Sequence, residues 1–371
     1  NLTGGVDFKG KGGTFTLGAG KTLTGSAIST GGRSGTFVFV GDGTVTENLG
    51  IDGAGLTEIV FNGVDEVRGG VDATTLTVNA GANATIAKDT TGNAVYAGAG
   101  NLTSTGNLTG GVDFKGKGGT FTLGAGSKLS GTVSNGNNAT VIALGNGSIT
   151  GAITGLNTLE FSGGTGTTLN LSDTVNTSIN TNITNITYTN STNASGTINV
   201  NTGLEAGTVT FNNGNADGGT IIINAPSTIG LVANAANGTI VVNVDFTIQD
   251  PNAGNIDEIR IKDKTTYMID SINAVSGNID LLPNNRKIIF EGVDSQLALI
   301  NSSSTNDRTF TLNNNLNPSS TQDGYGIVRV SIAGKDLTIT NNGGPFTIGQ
   351  DNIHRLQNFI VSTIGTPLNP G

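Results

Sequence analysis

Apolar side chains along this chain fall into short strings, interleaved with Thr, Ser or Asn and closed off by Gly or Asn. Thr36-Phe-Val-Phe-Val40 and Leu76-Thr-Val78 are two examples. Four more begin at Gly196 (Thr-Ile-Asn-Val), Gly207 (Thr-Val-Thr-Phe), Gly219 (Thr-Ile-Ile-Ile) and Gly238 (Thr-Ile-Val-Val), at spacings of 11, 12 and 19. Alternating or continuous runs of β-branched residues between turn residues predict short β-strands. The segment Asp351-Asn-Ile-His-Arg-Leu-Gln-Asn-Phe359 reads instead as one short helical turn or cap.

The pattern also repeats at long range. Asn1–Gly20, NLTGGVDFKGKGGTFTLGAG, returns letter for letter as Asn107–Gly126. Val40-Gly-Asp-Gly-Thr-Val-Thr46 then parallels Leu144-Gly-Asn-Gly-Ser-Ile-Thr150, and Ile59-Val-Phe-Asn-Gly63 parallels Leu159-Glu-Phe-Ser-Gly163. The offset slides from 106 to 104 to 100, as expected of one large duplicated unit (about 1–100 and 107–200) whose turns vary while its strands hold. A sandwich, a barrel or a solenoid accommodates regularly spaced short strands. The drift favours the solenoid, because each coil packs only on its neighbours and its loops change length independently. The expected fold is therefore all-β, a right-handed parallel β-helix (β-solenoid) rod of roughly 20 residues per coil. Val, Ile, Leu and Phe would form inward ladders, and Asn at corners would stack in hydrogen-bonded ladders. Two regions are expected: 1–250, rich in Gly, Asn and Thr, and 251–371, a continuing solenoid with longer strands or loops, where Gly thins and strings such as Ile256-Asp-Glu-Ile-Arg-Ile261 appear.

Composition sharpens the picture. With 59 Gly, no Trp and charged residues at 12%, the chain is short of helix-favouring Lys, Glu, Arg and Met. A net charge of −9 offers no basic footprint, so no nucleic-acid partner is expected. The absence of Cys excludes a disulfide framework, a thiolate metal site and a Cys nucleophile. No stretch of eighteen apolar residues is available to span a membrane as a helix. Asn1 is not an initiator, which suggests a piece of a longer precursor.

Candidate chemistry is sparse. Gly5-Val-Asp-Phe-Lys-Gly10-Lys11 has the spacing of a phosphate loop, but Gly12 stands where Ser or Thr would hold magnesium. Gly118 follows Lys117 in the second copy, and each motif leads into a strand pattern, not a helix. His354, the only histidine, follows no Gly-x-Ser-x-Gly elbow. The adjacent acids Asp65-Glu66 and Asp257-Glu258 must point to opposite sides of extended backbone. Gly163-Gly-Thr-Gly-Thr-Thr-Leu169 has the glycines of a calcium nonapeptide but lacks its Asp, and Asp42 and Asp52 are unsupported loop candidates. Triplets such as Asn1-Leu-Thr3 and Asn107-Leu-Thr109 follow from composition. No catalytic, cofactor-binding or metal residue is assigned, no cofactor is expected, and the chain is read as not an enzyme.

Thr14-Phe-Thr-Leu-Gly-Ala-Gly20, Thr74-Thr-Leu-Thr-Val-Asn-Ala-Gly-Ala-Asn83 and Ala233-Asn-Ala-Ala-Asn-Gly-Thr-Ile240, in a chain without Cys, resemble autotransporter passenger domains, and more narrowly the rickettsial surface cell antigens of the outer-membrane protein A and B type. The resemblance implies a passenger displayed outside the bacterium, adhering to or invading host cells or covering the surface as a layer. Implied partners are a host-cell surface protein or glycan, or identical subunits. The alternatives are a self-assembling fibre or lattice subunit and, further off, a β-helical polysaccharide-cleaving enzyme.

Overall fold

The computed structural model describes residues 1–172 continuously and, beyond them, 181–189, 196–211, 218–233, 238–250, 256–270, 278–280, 287–292, 294–301, 308–311, 317–318, 327–332, 337–340 and 358–363. Among these residues the regular structure is β-strand throughout, with no helix. Asn358 and Phe359 lie in the strand Asn358–Thr363, so the end of the expected helical turn is strand, and 351–357 lie outside the described residues. The chain forms two compact units: Asn1–Gly163 with Thr167–Thr184, and Gly164–Gly166 with Asn185–Gly371.

The first unit is a parallel β-solenoid of three ladders. One runs Leu2, Leu23, Val45, Val67, Ile86, Ser104, Leu123, Ala143, Phe161. The second runs Val6, Ala27, Leu49, Val71, Thr90, Leu108, Leu129, Ile149, Leu171. The third runs Phe15, Phe37, Ile59, Leu76, Ala94, Val112, Val133, Ile153. Most of these side chains are buried, and together they fill the interior between the three sheets. Successive partners lie 17 to 22 residues apart, close to the expected coil.

The duplication has a geometry that its spelling does not reveal. In the first copy Leu2, Val6 and Phe15 stand on the first, second and third ladders. In the second copy the same residues, Leu108, Val112 and Phe121, stand on the second, third and first. Later segments keep the relation, with Val45 and Ile149, and Ile59 and Leu159, each one ladder apart. The copies are related by five coils plus one face, an advance of about 25 Å at ~4.8 Å per coil. Identical sequence therefore serves different faces, and what buries it is stacking. Leu108, with a coil on each side, is 1% exposed, while Leu2, paired on one side, is 39% exposed.

The second unit is built in the same way with longer coils. Ile198, Ile221, Ile240, Ile259 and Ile288 form one inward ladder, beside Val200, Ile223, Val242, Ile261 and Phe290. Ser227, Phe246, Tyr267, Leu297 and Val328 form another. The step grows from 19 residues at Ile221–Ile240 to 31 at Leu297–Val328, so the uniform 20-residue coil fails here as excursions lengthen. The strings at Gly196, Gly219 and Gly238 share one ladder, whereas that at Gly207 belongs to the sheet pairing with Ser227–Ala233. The expected Asn ladder is present: Asn243 Nδ2 donates to Asn224 Oδ1 at 2.6 Å, and Asn224 Nδ2 to Asn201 Oδ1 at 2.9 Å.

Candidate functional site

The phosphate-loop spelling folds into a turn that consumes its own amides. Lys9 and Lys115 both adopt φ near +50°, with their N–H groups donating to Asp7 and Asp113 Oδ1 at 2.8 and 2.9 Å. Lys11 N–H donates to Phe8 O and Lys117 N–H to Phe114 O, while Gly10 N–H reaches Ser29 Oγ. A phosphate cradle needs such amides free and a helix behind them. Here strands Thr14–Leu17 and Gly119–Leu123 follow instead.

Asp65 and Glu66 point apart, as extended backbone requires. Asp65 is 1% exposed and accepts N–H groups from Gly43, Asn62 and Gly63 at 3.0, 3.1 and 3.0 Å, which is a structural role. Glu66 faces outward and pairs with Arg68 at 3.0 Å. Asp42 Oδ1 accepts the Val64 N–H, again bracing the next coil. Among the described residues no three acids or histidines converge to hold a metal ion. His354 lies outside the described residues, and Asp257 and Glu258 lie on the strand Ile256–Ile261 with side chains that are not described.

One concave site stands out in the first unit, and neither Arg33 nor Asp72 is singled out by motif or spacing. A cavity of about 340 Å³ opens on the outward side of the second ladder, lined by Arg33, Asn48, Ile51, Asp52, Asp72 and Asp89 among others. Its floor is backbone of successive coils near Leu49, Val71 and Thr90, and the turn Gly50–Ala54, closed by Ala54 N–H to Ile51 O at 2.8 Å, forms a wall. Arg33 crosses two coils to meet Asp72, Nη2 to Oδ1 at 2.6 Å. Its guanidinium lies over Gly55, where a Cβ would stand 2.6 Å from Nη1, so a side chain there would push the arginine's end aside. Behind Arg33, Ser29 Oγ donates to Gly32 O and meets Ser34 Oγ, each at 2.7 Å, which fixes the turn that carries it. Asp72 is 7% exposed while Arg33 stays exposed, so a buried carboxylate meets a solvent-facing guanidinium beside an open, polar hollow.

Two surface carboxyls titrate below the ordinary Asp value. The Thr30 hydroxyl at 2.6 Å, with the amides of Lys9 and Thr30, holds Asp7 down. At Asp113 partial desolvation pulls upward but is outweighed by Asn135 and by the ammonium and amide of Lys115. A carboxyl whose folded pKa is depressed stabilises the fold above its unfolded pKa, about 3.9, and loses that contribution as pH falls through the folded value. The stability difference between the wild-type chain and Asp113→Asn should therefore be constant from pH 7 to about 4 and shrink below it. Thermal unfolding of the two across pH 2–7 checks this.

Over 139 residues the chain is 40% identical to outer membrane protein A of Rickettsia rickettsii, and over 133 residues 39% identical to outer membrane protein A of Rickettsia conorii. These matches cover 36% and 34% of this chain and 6% of each relative, so the chain spans a small part of their length. They bear out the resemblance to rickettsial surface antigens read from the sequence. No family model matches the chain, and no solved structure matches it.

Proposed function

We propose that this chain is a non-catalytic segment of a bacterial surface passenger, presented outside the cell as part of a longer precursor. In this reading it acts in host-cell adhesion or invasion, or in coverage of the surface. The similarity to two proteins named outer membrane protein A carries the reading. The coil stack supports it physically, because each coil needs only its neighbours and the acids and amides of the sequence motifs brace adjacent coils. Purified chain applied to host cells should bind saturably above a sequence-scrambled control. Binding no greater than that control would remove the adhesive role, and assembly of the chain into fibres or lattices in electron micrographs would then favour the structural alternative.

A further inference from the structure

The two copies of the duplicated unit provide an internal comparison for the cavity. The copies differ in length at several places, and two of these, both shorter in the second copy, are cavity walls. Ile28-Ser-Thr-Gly-Gly-Arg-Ser34 corresponds to Ser134-Asn-Gly-Asn-Asn138, two residues shorter. Leu49-Gly-Ile-Asp-Gly-Ala-Gly-Leu56 corresponds to Ile153-Thr-Gly-Leu156, four residues shorter. Arg33 becomes Asn137 and Asn48 becomes Ala152. The packing beneath is kept, since Asn137 Oδ1 covers Gly155 as Arg33 covers Gly55, each approaching within 3 Å of where a Cβ would stand. The second copy continues its ladders through Ile153 and Leu159 without the additional residues. The coil therefore does not need them. In solenoids such excursions beyond the shared scaffold gather on binding faces.

We propose that this cavity is a carbohydrate-binding site that takes a neutral or amino-bearing sugar. As the partner class of a surface-displayed chain, the proposal rests on the reading given above. Asp52, Asp72 and Asp89 present carboxylate oxygens that accept hydrogen bonds, and Arg33 presents N–H donors in a planar fork. Asn48 uses its Oδ1 on the Gly70 N–H at 2.8 Å, leaving Nδ2 to donate. Vicinal hydroxyls, each both donor and acceptor, match such a mixed lining. The Arg33–Asp72 pair is already neutralised, so Asp52 and Asp89 give the hollow a net negative field. That field repels sialylated or sulfated glycans and favours uncharged or aminated ones. The volume is at the low end for small-molecule sites, in keeping with one terminal sugar of a chain that continues into solvent.

Saturation-transfer NMR and titration calorimetry of the purified chain against glucose, galactose, mannose, N-acetylglucosamine, glucosamine, sialyllactose and a heparin oligosaccharide test the proposal. Saturable binding of at least one neutral or amino sugar is expected. Affinity should fall at least tenfold in Arg33→Asn, in Asp52→Ala and in a variant with Gly50–Gly55 replaced by the Thr-Gly of the second copy. Three results overturn the proposal: no neutral or amino sugar binds, the anionic glycans bind best, or affinity stays within twofold in the turn-shortened chain. Should that chain not fold, Asp52→Ala, a change at an exposed turn, decides by the same criterion. Sugar binding without cell binding would refute the adhesive reading alone. Cell binding retained in the turn-shortened chain, with no sugar bound by the wild type, would refute the cavity alone.

Discussion

Phe39→Ala should destabilise the first unit by about 3–5 kcal/mol, the range for deleting a buried ring. Phe39 is fully buried, with Phe37 beside it on the same strand at 4.9 Å between centroids and Phe61 on the next coil at 5.4 Å, the latter stacked at 17°. It also lies over Gly43, where a Cβ would stand 2.6 Å from the ring. The column cannot collapse into the resulting gap, because coil spacing is fixed by the backbone hydrogen bonds of the ladders on either side. Loss of the two ring contacts adds to the transfer term. Phe39→Leu, which refills most of the volume, should cost about 1–2 kcal/mol. Val40→Ala, one residue on but exposed, should fall within about 0.5 kcal/mol of the wild type. Urea unfolding of the three variants checks the order. Near-equal losses at positions 39 and 40 would mean that the aromatic column does not hold the coils together.

That column was readable in advance, and the reason is local. Thr36-Phe-Val-Phe alternates, so Phe37 and Phe39 must share a face, and the similar strings of neighbouring coils must stack on it. The winding was not readable. Coil length varies between 17 and 22 residues in the first unit, so an offset of 106 does not say whether the copies fall on the same face. Only the register shows the one-face shift. The same ambiguity hid the Gly207 string, whose spacing of 11 from Gly196 is a step between faces and not a step between coils. In the second unit the step rises to 31, and no repeat of fixed period survives to be read. The cavity left a fainter trace. The sliding offset marked where the copies differ in length, but turn loss without consequence gives the same signal. Arg33 and Asp72 are 39 residues apart, and nothing in their spacing announces a pair that depends on two coils of winding.

Asp65→Ala should be as damaging as the loss of a core ring, although no hydrophobic contact of note is removed. The carboxylate sits on an inward column of the first ladder, followed by Ala84 and Leu102 on the next coils. A buried charge survives there because three backbone N–H groups converge on it, from Gly43 one coil earlier and from Asn62 and Gly63 in its own corner. Alanine leaves all three donors without their acceptor, and each buried unsatisfied group costs about 1–3 kcal/mol. With partial compensation by water at the corner, a loss of about 3–5 kcal/mol is expected. Asp65→Asn keeps one acceptor oxygen but turns an amide N–H toward a donor, so it should recover only part of that loss. Glu66→Ala, the neighbouring acid on the opposite side of the strand in an exposed ion pair, should change stability by less than about 1 kcal/mol. Thermal and urea unfolding of the three variants separate these cases. If Asp65→Ala and Glu66→Ala prove equally mild, the carboxylate does not brace the corner, and the Asp65-Glu66 pair would have to be reconsidered as chemistry and not as scaffold.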